Sequence, residues 1–152
     1  MKLFLVQHGE AKPQSEDPAR SLSEKGRKEV EKVAGAADKL GMKPDSIFHS
    51  GKLRAGETAG IIARVLESAK PEAVSGLSPN DDVETWAKKI SLLDEDMALV
   101  GHLPFMDRLA SLLLCGNERS SVVRFRYGAI VCIERDPEGG WHLEWIIAPD
   151  MV

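Results

Sequence analysis

The chain lacks most of the features that announce a function from afar. Its 152 residues include two cysteines. Cys115 and Cys132 lie in apolar segments without C-x-x-C spacing, so they read as small buried hydrophobes rather than a disulfide or metal site. Positive charge is not in excess. The formal net charge is -4, and nothing predicts a nucleic-acid partner or an anionic membrane. No apolar run approaches a membrane span. The N-terminus opens directly on a strand pattern, without a signal-peptide layout, so the expected location is cytoplasmic. There is no internal repeat, low-complexity segment or interdomain linker. A chain of this length suits one core, and residues 1–152 are expected to form a single domain.

The stretch Leu3-Phe4-Leu5-Val6-Gln7-His8-Gly9-Glu10 organises what is present. An apolar run stops at a polar pair and a glycine, the pattern of a strand buried on both faces. His8 then sits at the strand's C-terminal end, the edge where open α/β sheets bind ligands. Ala11 to Arg20 is polar and aperiodic, a loop over that edge. Ser21 and Glu24 have capping-box spacing, with Ser23 as a rival N-cap. Val30, Val33, Ala34, Ala37 and Leu40 form a helical apolar stripe, ended by Gly41.

Strand and helix then alternate. Asp45–Ser50 reads as a strand, and a helix from about Leu53 carries Ala55, Ala59, Ile62, Val65 and Leu66 on one face. A short strand near Glu72–Val74 and a helix marked by Val83, Trp86, Ile90 and Leu93 follow. Met97–Val100 is a short buried strand, again ending in Gly-His. Pro104 suits the first turn of a helix whose core face is Leu109, Leu112 and Leu113. Val122–Phe125 and Ala129–Glu134 are β-rich, and Trp141–Ile147 alternates after the turn Asp136–Gly140, a hairpin. The expected fold is a three-layer α/β/α arrangement, a mostly parallel sheet with a C-terminal antiparallel hairpin.

Two strands therefore end in histidine, His8 and His102, and a third ends in Ser50 with Arg54 four residues on. Such a sheet gathers these ends at one edge. Two imidazoles and a guanidinium fork suggest an anion site. Helix N-termini after Ser50 and His102 add N–H donors, and Gly9 permits close approach of a ligand. Zinc is the rival reading, with Glu10 as a further ligand. Arg54 nearby would repel a cation and argues against it. His49 and His142 lie within strand patterns and read as structural, and Trp86, Trp141 and Trp145 as core or half-buried anchors.

Three segments together resemble the histidine phosphatase, or phosphoglycerate-mutase-like, superfamily. Gln7-His8-Gly9-Glu10 looks like its Arg-His-Gly motif. Ser50-Gly51-Lys52-Leu53-Arg54-Ala55-Gly56-Glu57-Thr58 looks like its Ser…Arg-Ala…Thr motif, and Gly101-His102-Leu103-Pro104 is similar to its second-histidine motif. The short length and Asp17-Pro18-Ala19-Arg20-Ser21-Leu22-Ser23 further resemble the SixA-type phosphohistidine phosphatases. The resemblance implies a phosphoglycerate-mutase-like fold and a catalytic set of His8, Arg54 and His102. His8 attacks phosphorus, and Arg54 and His102 hold the phosphoryl oxygens. Gln7, Gly9, Arg20 and Leu103 are implied as substrate-binding positions. His8 must then be neutral, with its other nitrogen donating to a backbone carbonyl.

Two departures from the family pattern bear on the substrate. The arginine before the nucleophile is Gln7, which keeps donors but carries no charge; Lys12 is a candidate replacement for that charge. No Glu stands at the general-acid region, Leu77-Ser78-Pro79-Asn80-Asp81-Asp82, and Asp81 and Asp82 read better as helix caps. An alkoxide leaves badly without a proton donor. An imidazole can be protonated near neutral pH and leaves phosphorus more readily.

The expectation is a phosphatase that removes phosphate from a phosphohistidine-bearing protein through a phospho-His8 intermediate. It needs no metal or organic cofactor. The alternatives are a small phosphorylated substrate at the same site, or a phosphate-binding module without turnover.

Overall fold

The computed structural model describes all residues, 1–152. Strand β1 (Lys2–Gln7) leads through a long loop to α1 (Glu24–Lys39). Then come β2 (Ser46–His49), α2 (Leu53–Leu66), β3 (Glu72–Ala73), α3 (Val83–Ser91), β4 (Met97–Gly101) and α4 (Phe105–Cys115). The chain ends in β5 (Ile130–Arg135), β6 (Trp141–Ile147) and a short 3-10 turn, Pro149–Met151. The strands form one sheet in the order β3-β2-β4-β1-β5-β6. β1, β2, β3 and β4 run parallel, and β5 and β6 are antiparallel to their neighbours. The expected three layers and terminal hairpin are present.

Side-chain alternation on β1 divides the core. Phe4 and Val6 pack with Val30, Val33 and Ala34 of α1 and Ala55, Ala59 and Ile62 of α2. Leu3 and Leu5 face the other way, toward Val83, Trp86 and Ile90 of α3 and Phe105, Met106 and Leu109 of α4. The topology explains the segregation. The crossovers β1-α1-β2 and β2-α2-β3 move one way across the sheet, and β3-α3-β4 moves back. Right-handed connections then put the outward and return helices on opposite faces.

Local readings fare unevenly. Ser23, not Ser21, caps α1, accepting from the Gly26 N–H at 3.0 Å. Ser21 is unavailable because its hydroxyl donates to Asp17. Leu40 leaves the α1 stripe: it is the C-cap and 53% exposed. Cys132 is buried as expected, but Cys115 is exposed at the end of α4. Val122–Phe125 is no strand. Val123 and Phe125 are buried and Val122 is exposed, so the period of two is real. The edge of β1 is taken by β5, and that of β5 by β6, so the segment has no place beside either strand and packs by its side chains alone.

Candidate active site

Parallel pairing aligns the ends of β1, β4 and β2. Gln7 lies opposite Gly101, and His49 opposite Val100. The next residue on each strand is therefore His8, His102 and Ser50. The His8 N–H donates to Gly101 O at 3.0 Å, continuing the ladder one step past β1. The two imidazole rings lie 4.9 Å apart, centroid to centroid, and tilted by 52°. The Ser50 hydroxyl meets His102 Nε2 at 2.6 Å.

His8 is held in one protonation pattern. Its Nδ1 lies 2.7 Å from the carbonyl oxygen of Gly9, which can only accept, so Nδ1 carries the hydrogen. Nε2 is left with its lone pair, and the Arg54 Nε–H points at it from 3.4 Å. Burial pushes the His8 pKa down to about 4, with Arg54 and Arg20 adding to the shift and the Gly9 carbonyl opposing it. His102 falls to about 3, through burial first and then His8, Arg54, Lys52 and Arg20. Both imidazoles are neutral near pH 7. Every charged group acting on them is a cation.

Arg54 and Arg20 reach the site from different elements, a helix and a loop. Arg54 is on the first turn of α2, and burial and Arg20 both lower its pKa. Arg20 ends the polar loop in a left-handed conformation, φ 53°. Asp17 builds that turn by accepting from the Ala19 N–H and from the N–H and hydroxyl of Ser21. Arg20 Nε then donates to Lys12 O at 3.3 Å. Lys12 itself lowers the pKa of Asp17 and is not among the charges acting on the imidazoles. The cation that joins the two arginines there is Lys52, acting on His102.

The helices that start at the site differ from those that do not. Side chains cap α1 (Ser23) and α3 (Asp82), whereas α2 and α4 begin at Lys52 and Pro104 with no side-chain cap. Uncapped N-termini leave N–H groups and a partial positive charge at the strand edge.

The remaining predicted positions fall as follows. Gln7 is buried, with Oε1 lacking any partner. The Gly9 N–H donates to Thr58 Oγ1 at 3.0 Å, and the Thr58 hydroxyl donates to Arg54 O at 2.7 Å. Thr58 thus ties the His8 loop to the helix that carries Arg54. A Cβ on Gly9 would lie 2.8 Å from Val30 Cγ2, so the close approach this glycine allows is that of α1. Leu103 is 39% exposed, just beyond His102. Glu10 turns to α1, where it accepts from Ser23 and lies 3.5 Å from Lys25. Asp82 caps α3 as expected, but Asp81 does not cap a helix: it accepts from the Ser78 N–H within the preceding loop. His49 accepts from the Gly51 N–H, and His142 pairs with Asp136 away from the site.

One neighbour was missed. The Tyr127 ring lies 5.5 Å from that of His8, tilted by 42°. It stands in a turn between Arg126 and Gly128, with no spacing that links it to the strand ends.

Comparison with known proteins agrees with this arrangement. An uncharacterised protein of Picosynechococcus is 28% identical over 143 residues, covering 85% of this chain and 87% of that one. The structure of the protein histidine phosphatase SixA complexed with tungstate superposes with a TM-score of 0.88 at 23% identity, covering 99% of both chains. A mycobacterial glucosyl-3-phosphoglycerate phosphatase superposes at 0.74 and 14% identity, over 94% of this chain and 96% of that one. These likenesses establish the phosphoglycerate-mutase-like fold. The family model for the histidine phosphatase superfamily (branch 1) matches residues 3–79, a span that holds His8, Arg20 and Arg54 but stops short of His102. The chain belongs to the histidine phosphatase superfamily, branch 1, and is a phosphatase by family.

Proposed function

We propose that the chain is a phosphohistidine phosphatase acting on a phosphorylated protein in the cytoplasm, as one domain and without a metal or organic cofactor. The observation that carries this reading is a basic cluster whose candidate acids are turned to other uses: Arg54 points at His8 Nε2, whereas Glu10 accepts from Ser23, Asp81 from the Ser78 N–H and Asp82 from the Glu84 N–H. In the proposed reaction the His8 Nε2 lone pair forms a bond to phosphorus as the P–N bond of the substrate breaks. The substrate imidazole takes a proton from solvent and leaves neutral. Water then attacks phospho-His8, releasing phosphate and restoring the neutral ring. Arg54, Arg20 and His102 hold the phosphoryl oxygens, where charge gathers in the transition state. Gln7 supplies an uncharged donor beside them, and Leu103 an apolar edge. The tungstate bound by the SixA relative is a tetrahedral oxyanion of the kind this cluster is built to hold.

A small-molecule phosphomonoesterase is the second reading. The carbohydrate phosphatase among the structural relatives favours it, since that protein's name specifies a P–O bond. The test is transfer of labelled phosphate from phosphohistidine protein and from sugar phosphates, read as label on His8 and as free phosphate. The expected result is transient label on His8, faster from the P–N donor, and none in His8→Ala. Turnover by His8→Ala at the wild-type rate would end the proposal, and label without release would make the chain a binding module.

A further inference from the structure

Tyr127 is the only tyrosine in the chain. It is held against the nucleophile by the backbone. The Gly128 N–H donates to Gln7 O and His8 O, both at 3.1 Å, and the Ala129 N–H closes the turn on Arg126 O at 3.0 Å. Gly128 has φ +74°, a conformation that favours glycine and lets the chain turn back onto β1. The turn that presents Tyr127 is therefore stitched to the carbonyls of the two residues at the end of β1.

Its position is outward of His8. The Tyr127 ring lies 5.5 Å from the His8 ring, yet Tyr127 is 47% exposed where His8 is 6% exposed. In an in-line displacement the leaving group departs on the side of phosphorus away from the attacking nitrogen. A substrate reaching so buried a nucleophile comes from solvent, so its leaving group faces outward, and Tyr127 is the solvent-reached aromatic ring beside His8. A planar heterocycle leaving there gains an offset or edge contact with the ring, and ammonia or a small alkoxide does not.

We propose that Tyr127 is a specificity-determining residue: its ring forms the wall on which the planar, aromatic leaving group of the substrate packs, selecting phosphorylated imidazole over ring-free phosphoryl donors. This rests on the phosphohistidine phosphatase reading and names the residue that recognises the heterocycle.

The test compares kcat/KM for N-phosphoimidazole and for phosphoramidate, both P–N compounds, in the wild type, Tyr127→Phe and Tyr127→Leu. The selectivity ratio for phosphoimidazole over phosphoramidate is expected to fall about three- to tenfold in Tyr127→Leu, the scale of one aromatic contact. Tyr127→Phe keeps the wild-type ratio. A ratio unmoved in Tyr127→Leu, with both substrates slowed equally or not at all, overturns the proposal, because the ring then only supports His8. A ratio that falls as far in Phe as in Leu also overturns it, assigning the effect to the hydroxyl. Failure of the underlying phosphatase reading looks different: the wild type itself then leaves both compounds intact and His8 unlabelled.

Discussion

The two ends of the sheet use the same side chains to opposite effect. At the N-terminal end of the parallel strands, Arg135 donates to Ile90 O, Leu93 O and Asp94, and His142 pairs with Asp136. Asp96 accepts from the Lys2 N–H. A cavity of ≈ 530 Å³ there is lined by Met1, Asp94, Glu134, Arg135, Asp136 and His142 among others, and cations and carboxylates are mixed in it. At the C-terminal end, Arg54 and two histidines are grouped with Arg20 and Lys52, and cations alone act on the imidazoles. An arginine that finds its acceptors within the protein holds the fold together. An arginine set among cations waits for an anion. The difference separates a structural cluster from a reactive one without reference to motif.

Substitutions at each end and a pH series should separate the two clusters. The largest effect is expected from Arg54→Ala, which removes the donor that points at His8 Nε2 and, in the proposed reaction, holds the phosphoryl group. kcat/KM should fall about a hundred- to a thousandfold, the usual cost of one such donor, while the melting temperature stays close to wild type. A stability loss with activity retained would reverse the assignment of the two ends.

The second concerns pH. Folding lowers the pKa of His8 to about 4 and of His102 to about 3, against an ordinary value of 6.5. The unfolded chain therefore binds protons below pH 6.5 that the folded chain refuses. Stability should drop as pH falls from about 6.5 toward 3. kcat/KM should keep its plateau down to about pH 4 and then fall about tenfold per pH unit, because only neutral His8 attacks. An activity limb centred near 6.5 would mean that the imidazoles are not buried as described.

Third, Arg135→Ala should destabilise the fold by about 2 kcal/mol, since two backbone carbonyls and Asp94 lose a charged donor. kcat/KM should match wild type, as read by chemical denaturation alongside a phosphatase assay. A loss of activity at constant stability would show the far end to be coupled to the site. The smallest effect is expected from Gln7→Arg. It restores a charged donor at a buried position whose Oε1 has no partner, and kcat/KM should rise about tenfold or less. Another cation beside Arg54 and Arg20 should also lower the melting temperature. An unchanged rate would show that the site already holds all the charge it can use.

What the sequence made legible follows from local rules. Burial on both faces of β1 was written in Leu3–Val6, and the end of that strand in Gln7-His8-Gly9. The α1 stripe, the Gly41 stop and the Asp82 cap are likewise local, set by helical period and by side chains that bond their own backbone. Other positions were decided by competing contacts, some near in the chain and some far. Ser21 lost the cap because Asp17 took its hydroxyl. Val122–Phe125 kept a strand's alternation without a strand, because the neighbouring edges of β1 and β5 are taken by β5 and β6. Thr58 was visible in a motif, but its role as the link between the Gly9 N–H and Arg54 O needs two elements in contact.

By itself, then, the sequence determined the layer order, the family likeness and the side chains that would crowd one strand edge, because hydropathy period and residue chemistry are properties of short segments. Only the tertiary structure decided which nitrogen of His8 is free, how far burial and neighbouring cations hold both imidazoles neutral, and that Tyr127 stands beside the nucleophile. Those depend on distances between residues tens of positions apart, and the parallel register and the turn at Gly128 set these distances.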